Sequence, residues 1–198
     1  MDIEPSDLVE QANDAPRARN ARLNATVAVT VALLATFMGI CKVKDDNIVQ
    51  AMQQAQADKI DHWAYYQARN LRQEVAEAAV AQLEVARAAT GADTARADAA
   101  IARYRALAQD QATKKEQLRQ AAEQDQQRYD ALNYRDDQFD LSDALLAIAI
   151  AMLAVTALTS QWWLYAVALL PTLGGLVMGV AGLSGLALHP DAIVRLLS

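Results

Sequence analysis

The residues of this chain that could bind a metal lie close together near position 60. Asp58, Asp61 and His62 fall within about one turn of a predicted helix, and Glu123 and Asp125 would lie opposite them if the chain folded back on itself. Carboxylates and histidines on facing helices form the metal sites of helical bundles. This segment holds one histidine and lacks the Glu-x-x-His repeat of such sites. We therefore interpret these residues as solvated charge and expect no metal and no cofactor.

The same stretch, "HWAYYQARN" at residues 62–70, is unusually aromatic for its surroundings. In a helix, Trp63 and Tyr66 share a face, and large aromatic side chains fill the gaps between alanine-rich helices. Arg69 can lie against the ring of Tyr65 or Tyr66 as a cation–π contact. We predict that Trp63, Tyr66 and Arg69 serve packing or partner contact and have no catalytic role.

Other chemistry finds little support in the residues. The chain contains no phosphate-binding loop and no dinucleotide fingerprint, and Cys41, His62 and His189 do not complete a nucleophilic triad. Its net charge is −6, without a basic tract, which excludes nucleic acid as an expected partner. No small-molecule substrate is evident, and we expect the protein not to be an enzyme.

Two long blocks of the chain carry no charged residue. The first, residues 23–41, has the length of about 20 residues that crosses a bilayer. The second, residues 144–188, is too long for one span and suits two spans with a tight turn. We place that turn at "TSQWW", residues 159–163, because Ser160 and Gln161 are polar and tryptophan is favoured at the membrane–water boundary.

Three glycines mark one face of the last span. Gly175, Gly179 and Gly182 follow helical spacing, and "GLVMG" is a GxxxG pattern, which lets another helix approach closely. We favour packing against the neighbouring span of the same chain over contact between chains. The two uncharged blocks, residues 23–41 and 144–188, contain no acidic or basic residue, which argues against an ion-coupled transporter.

Residues 42–140 contain no proline and one glycine, Gly91, which is a helical composition. In their second half, residues with alternating +3 and +4 spacing predict the seam of a coiled coil. These residues are Ile101, Tyr104, Ala108, Gln111, Lys115, Leu118, Ala122, Asp125, Tyr129 and Leu132. In the first half, apolar residues recur at roughly helical spacing and predict the facing surface: Ile48, Met52, Ile60, Trp63, Tyr66, Leu71, Val75, Leu83 and Ala86.

A break at residues 89–94 divides this region into two nearly equal arms. Gly91 can end one helix, and Asp93 or Thr94 can cap the next. We therefore predict an antiparallel hairpin in which the numbers of facing residues sum to about 183. This register pairs Leu83 with Ile101. It also predicts the ion pairs Glu77–Arg105, Arg72–Asp110, Lys59–Glu123 and Lys44–Asp140.

The string "DHWAYYQARNLR" at residues 61–72 resembles the signature of an uncharacterised bacterial membrane family, domain of unknown function 4337. That family carries a W-x-x-Y-Q-A-K-like string shortly after a first membrane span, and here Arg69 stands where lysine is usual. The early "PSDLVEQA" and the paired C-terminal spans also resemble the family layout. The resemblance implies a bacterial inner-membrane protein with a helical soluble part, and it implies no activity.

These observations predict an all-α membrane protein with one N-terminal transmembrane helix, a long antiparallel helical hairpin and a C-terminal two-helix transmembrane hairpin. The predicted segments are an N-terminal tail (1–22), span 1 (23–41), the extramembrane hairpin (42–140), span 2 (141–160), span 3 (162–188) and a C-terminal tail (189–198). The positive charge of Arg17, Arg19 and Arg22 before span 1, against Lys42 and Lys44 after it, favours a cytoplasmic N-terminus. The hairpin and the C-terminus would then be periplasmic.

The leading functional hypothesis is a membrane-anchored helical scaffold or accessory subunit, which associates with copies of itself or with a membrane-protein partner. A two-helix rod has little core of its own, so lateral association would stabilise it. The alternative hypothesis is a homo-oligomeric channel or pore lined by small residues, since hydrophobic constrictions can gate conduction.

Overall fold

The computed structural model describes residues 5–90, 94–186 and 188, and these residues form three helices without a strand. The helices are α1 (Pro5–Thr90), α2 (Thr94–Thr159) and α3 (Trp162–Ser184). The protein is all-α, as the sequence predicts, and α1 begins at Pro5, within the predicted N-terminal tail. The predicted turn at 89–94 lies largely outside the described residues, as do His189 and the C-terminal tail.

The chain divides into two compact units. The three-helix unit combines α1 up to Val49 with the chain from Asn133 onward, and the two-helix unit comprises Gln50–Leu132. Leucine, valine and alanine side chains from all three helices form the core of the three-helix unit. Its buried members are Leu23, Val27 and Leu34 of α1, Leu146, Ala149 and Leu153 of α2, and Ala168 of α3.

Helices α2 and α3 are joined by a two-residue turn within the predicted 159–163 segment. Ser160 has a φ of 54°, in the left-handed region, and Gln161 precedes α3 in an extended conformation. Helix α3 continues through Pro171 and ends at Gly185, whose φ of 72° lets its N–H bond back to the carbonyl oxygen of Ala181. A left-handed glycine after the last turn is a common helix ending.

In the two-helix unit, α2 turns the predicted face towards α1. All ten residues of the +3/+4 pattern from Ile101 to Leu132 are buried or half-buried. Gln111 is among the most buried of them, so a polar side chain lies in the middle of this face. The coiled-coil packing of the two helices stays a prediction.

The prediction for the facing side of α1 was wrong at several positions. Ile60, Leu71 and Val75 are 57–62% exposed, Trp63 is 37% exposed, and Ala86 is also exposed. The inner face of α1 in this unit follows strict +3/+4 spacing. Its members are Met52, Ala55, Lys59, His62, Tyr66, Arg69, Gln73, Ala76, Val80 and Leu83. Because four of these ten side chains are charged, histidine or glutamine, choosing apolar residues selected the wrong side of the helix.

The predicted ion pairs between the two arms are likewise not those that form among the described residues. Arg105 pairs with Glu84 instead of Glu77, and Lys59 donates to the side chain of Gln126 instead of pairing with Glu123. Neither Arg72–Asp110 nor Lys44–Asp140 is among the ion pairs of the described residues. Three contacts give the register: Lys59–Gln126, Asn70–Lys115 and Arg87–Asp98, whose residue numbers each sum to 185.

Candidate functional site

The aromatic stretch of α1 packs partly against itself and partly against α2. The rings of Trp63 and Tyr66 meet edge to face with centroids 5.2 Å apart. Tyr66 belongs to the inner face of α1, and the ammonium of Lys115 on α2 lies 5.9 Å from its ring centroid. The cation over this ring is therefore a lysine from α2 and not Arg69. Trp63 keeps one side open to its surroundings.

Arg69 takes part in a series of polar contacts that joins α1 to α2. It donates to the side-chain oxygen of Gln111 at 3.0 Å. On either side of it, His62 Nδ1 contacts Asp125 Oδ2 at 2.7 Å and Lys115 donates to Asn70 Oδ1 at 2.9 Å. A half-buried polar group costs free energy when its partner is lost, so these contacts restrict which residues can face each other. They specify register more than they add stability.

The described residues do not form a metal site at this position. His62 meets Asp125, as the facing arrangement suggested, but no group of three or more histidine, cysteine, aspartate or glutamate side chains in the described part of the chain could hold a metal ion. The polar contacts between α1 and α2 accordingly bring together a histidine and a carboxylate without a third ligand. These contacts orient α1 against α2 and place polar or charged side chains of one helix beside partners on the other.

An apolar groove lies on the outside of the two-helix unit. Leu71 and Val75 of α1 border it together with Leu107 and Tyr104 of α2. The groove has a volume of about 270 Å³, and Arg72 is the one charged residue among those that line it. Leu71, Val75 and Leu107 are all well exposed. Sequence reasoning assigned Leu71 and Val75 to the interior and did not consider Leu107, because it starts from the assumption that apolar residues face inward.

The three glycines of α3 lie on the face that packs against α1 and α2 in the three-helix unit. A Cβ atom on Gly175 would lie 2.6 Å from Leu146, and one on Gly179 would lie 2.6 Å from the ring of Phe37 and 2.7 Å from Ser142 Oγ. At Gly182 a Cβ would lie 2.9 Å from the ring of Phe139. Each glycine thus makes room for a side chain of a neighbouring helix.

Polar side chains of α2 also bond to the backbone of α3. Ser142 donates to the carbonyl oxygen of Gly175 at 2.8 Å, and Arg135 donates to that of Gly182 at 2.8 Å. Gln138, which is fully buried, donates to the carbonyl oxygens of Leu186 and Leu188. The bond from Arg135 satisfies a carbonyl group that the end of α3 leaves without a helical partner, because Gly182 lies in the last turn of that helix. No feature of the sequence singled out Arg135 or Gln138 for this role.

The outward surface of the three-helix unit is apolar. Leu33, Val155, Leu158, Leu170 and Leu173 are all exposed. All three helices contain a segment long and apolar enough to cross a membrane, and in the segment of α1 only 17% of the residues are buried inside the structure. Apolar surface of this extent is unfavourable in water, so these findings indicate association with a membrane.

Comparison with known proteins identifies one relationship. A family model described as domain of unknown function 4337 matches residues 23–185. The match covers all three apolar segments as well as the two-helix unit. No curated protein matches the chain. No solved structure matches it either.

Proposed function

We propose that this chain, which belongs to the family of domain of unknown function 4337, is a membrane-anchored helical scaffold or accessory subunit without catalytic activity. The observation that carries the proposal is the exposed apolar groove of the two-helix unit, bordered by Leu71, Val75 and Leu107. An exposed apolar surface of this kind suits binding.

Membrane anchoring is supported by the apolar outer surface of the three-helix unit. Residues 23–41, 141–160 and 162–188 are the proposed spans, with a cytoplasmic N-terminus and with residues 42–140 and the C-terminus in the periplasm of a bacterial inner membrane. The arginines before span 1 support this orientation. The orientation can be tested with Asp61→Cys in a Cys41→Ser background. If residue 61 lies in the periplasm, a membrane-impermeant thiol reagent should label this cysteine in intact cells.

We propose that a second copy of the chain covers the groove. The inner face between α1 and α2 contains polar side chains such as Lys59, Arg69 and Gln111, so the two helices gain little from apolar burial. Apart from Arg72, the charged residue that lines it, the groove is bordered by apolar side chains on both helices, and two copies of such a surface attract each other. Self-association would thus add the apolar burial that the isolated unit lacks.

The native mass of the full chain, extracted gently from its own membrane with all components identified, tests this function. We expect an oligomer of this chain, and Leu71→Gln combined with Val75→Gln should reduce it to the 21.5 kDa monomer. Ile60→Gln with Val85→Gln is the matched control, because both residues are exposed and neither borders the groove. A wild-type monomer would contradict the proposal.

Two other outcomes of the native-mass measurement and of conductance tests would change the proposed function. A complex with a different membrane protein would make the chain an accessory subunit and would remove the case for self-association. An oligomer that conducts ions in a planar bilayer would point to a pore instead of a scaffold.

A further inference from the structure

A carboxylate of the three-helix unit is buried with one oxygen lacking a hydrogen-bond donor. Asp45 of α1 is 5% exposed. Its Oδ2 accepts a hydrogen bond from Lys42 at 2.9 Å, whereas its Oδ1 is buried and has no partner among the described residues. A buried carboxylate oxygen without a donor is costly, because it has lost the hydrogen bonds that water would supply.

The surroundings of Asp45 are strongly acidic. A small cavity of about 30 Å³ adjoins it and is lined also by Cys41, Asp140 and Asp143. The charged and titratable groups facing this region are Cys41, Lys42 and Asp46 on α1 and Asp136, Asp137, Asp140 and Asp143 on α2. Helix α3 contributes no charged residue, and Arg135 of α2 bonds to the α3 backbone. One lysine therefore faces several carboxylates.

Asp136 of α2 is the group that can supply the missing donor. Burial, followed by the hydrogen bond to Asp45 and the charge of nearby carboxylates, raises the pKa of Asp136 to about 6. Burial and the charges of Asp45 and Asp137 also raise the pKa of Asp140. Two ionised carboxylates hold no hydrogen to share, whereas a protonated Asp136 has an O–H that it can donate to the Asp45 carboxylate.

The geometry also distinguishes between a metal ion and a proton as the bound cation. A metal ion needs three or more ligands that converge on one point, and no such group occurs among the described residues. A proton needs only two carboxyl oxygens within hydrogen-bonding distance. Carboxyl pairs that share one proton because both cannot ionise are well known in proteins.

We propose that Asp45 and Asp136 form a proton-binding site in which a single proton, shared between the two carboxyl groups, joins α1 to α2 within the three-helix unit. This inference does not depend on the scaffold function. Its consequence is a contact that responds to pH in the mildly acidic range. The site carries the proton below about pH 6 and releases it above, leaving two carboxylates that repel each other.

The sign of the effect on stability follows from the difference between the folded and unfolded states. In the unfolded chain Asp136 has the ordinary pKa of an aspartate, near 3.9, so the folded state binds more protons between about pH 4 and 6. Stability from this site is fully present below the unfolded pKa and falls as pH rises through 6. The folded protein should therefore unfold at a lower temperature at pH 8 than at pH 5.

Infrared difference spectroscopy of the full chain in lipid nanodiscs tests the site. Between pH 5 and pH 8 the wild type should lose a protonated-carboxyl band with a midpoint near pH 6. Asp136→Asn should lack this transition, whereas Asp46→Asn should keep it, because Asp46 is exposed and pairs with Lys42. A transition unchanged in both Asp136→Asn and Asp45→Asn would overturn the proposal.

Thermal unfolding monitored by tryptophan fluorescence provides a second readout. The wild type should unfold several degrees lower at pH 8 than at pH 5. Asp136→Asn should lose this difference, since asparagine donates a hydrogen bond to Asp45 at both pH values. If Mg²⁺ at pH 8 stabilises the wild type as much as acidification does, the site binds metal ions and the proposal fails.

Discussion

At the scale of single residues, the glycines of α3 act through the hydrogen atom that replaces a side chain. Gly179 lies so close to Phe37 and Ser142 that a methyl group would overlap both. Gly39 of α1 has open space where a Cβ would stand. The two positions therefore separate the effect of close packing from the general helix preference of alanine.

We expect Gly179→Ala to destabilise the protein by about 1–3 kcal/mol, because Phe37 and Ser142 must move to accept the added methyl group. Gly39→Ala should be neutral or stabilising by up to about 1 kcal/mol, since alanine favours helix over glycine. Unfolding of the two variants in mixed detergent micelles would measure the difference. Equal effects at both positions would show that α3 does not pack against α1 and α2 through this face.

At the scale of helices, the contact between α1 and α2 in the two-helix unit depends on the spacing of residues more than on their polarity. On α2 the spacing and the apolar residues coincide over much of the face, and the inner face was predictable. On α1 the same spacing runs through Lys59, His62, Arg69 and Gln73. Lys59, His62 and Arg69 find partners on α2, which are Gln126, Asp125 and Gln111 respectively.

The register that these contacts define can be tested by crosslinking. In a Cys41→Ser background, cysteines at Asn70 and Lys115 should react efficiently with a short bifunctional thiol reagent, because these side chains bond to each other at 2.9 Å. The pair Ala68 with Lys115, which the register of 183 would favour, is the control. Ala68 is exposed, so this pair should crosslink several-fold less.

The crosslinking yields decide between the two registers directly. Comparable yields for both pairs would mean that the helices slide past one another. A higher yield for the Ala68 pair would restore the register of 183.

At the scale of the whole molecule, the exposed apolar surface tolerates different substitutions in water and in a bilayer. Leu173 lies near the middle of α3 and points outward, as its exposure of 60% shows. In water, a charged residue at such a position would be tolerated. In a bilayer, a charge at the centre of a span costs several kilocalories per mole.

We therefore expect Leu173→Arg to raise the apparent free energy of inserting α3 by about 2.5–3.5 kcal/mol in a translocon insertion assay. Val85→Arg is the matched control, since Val85 is equally apolar and exposed but belongs to the two-helix unit. It should leave insertion unchanged. Efficient insertion of the Leu173→Arg chain would contradict the assignment of α3 as a span.

The sequence alone determined the class of this protein and the position of its apolar segments. Uncharged runs of 19 and 45 residues and a nearly glycine-free region between them leave few alternatives to long helices. The signature around Trp63 pointed to the family that the match over residues 23–185 confirms. These features are local, since composition and length act within one segment at a time.

Only the tertiary structure decided which side chains meet. The inner face of α1, the partner of Arg69 and the exposure of Leu71 and Val75 all depend on what a second helix presents at the same level. The juxtaposition of Asp45 with Asp136 has the same origin, because two residues far apart in sequence acquire a shared environment only when their helices pack. The identity of a polar residue does not show whether its side chain faces water or a partner side chain. Only the packing of the helices decides this.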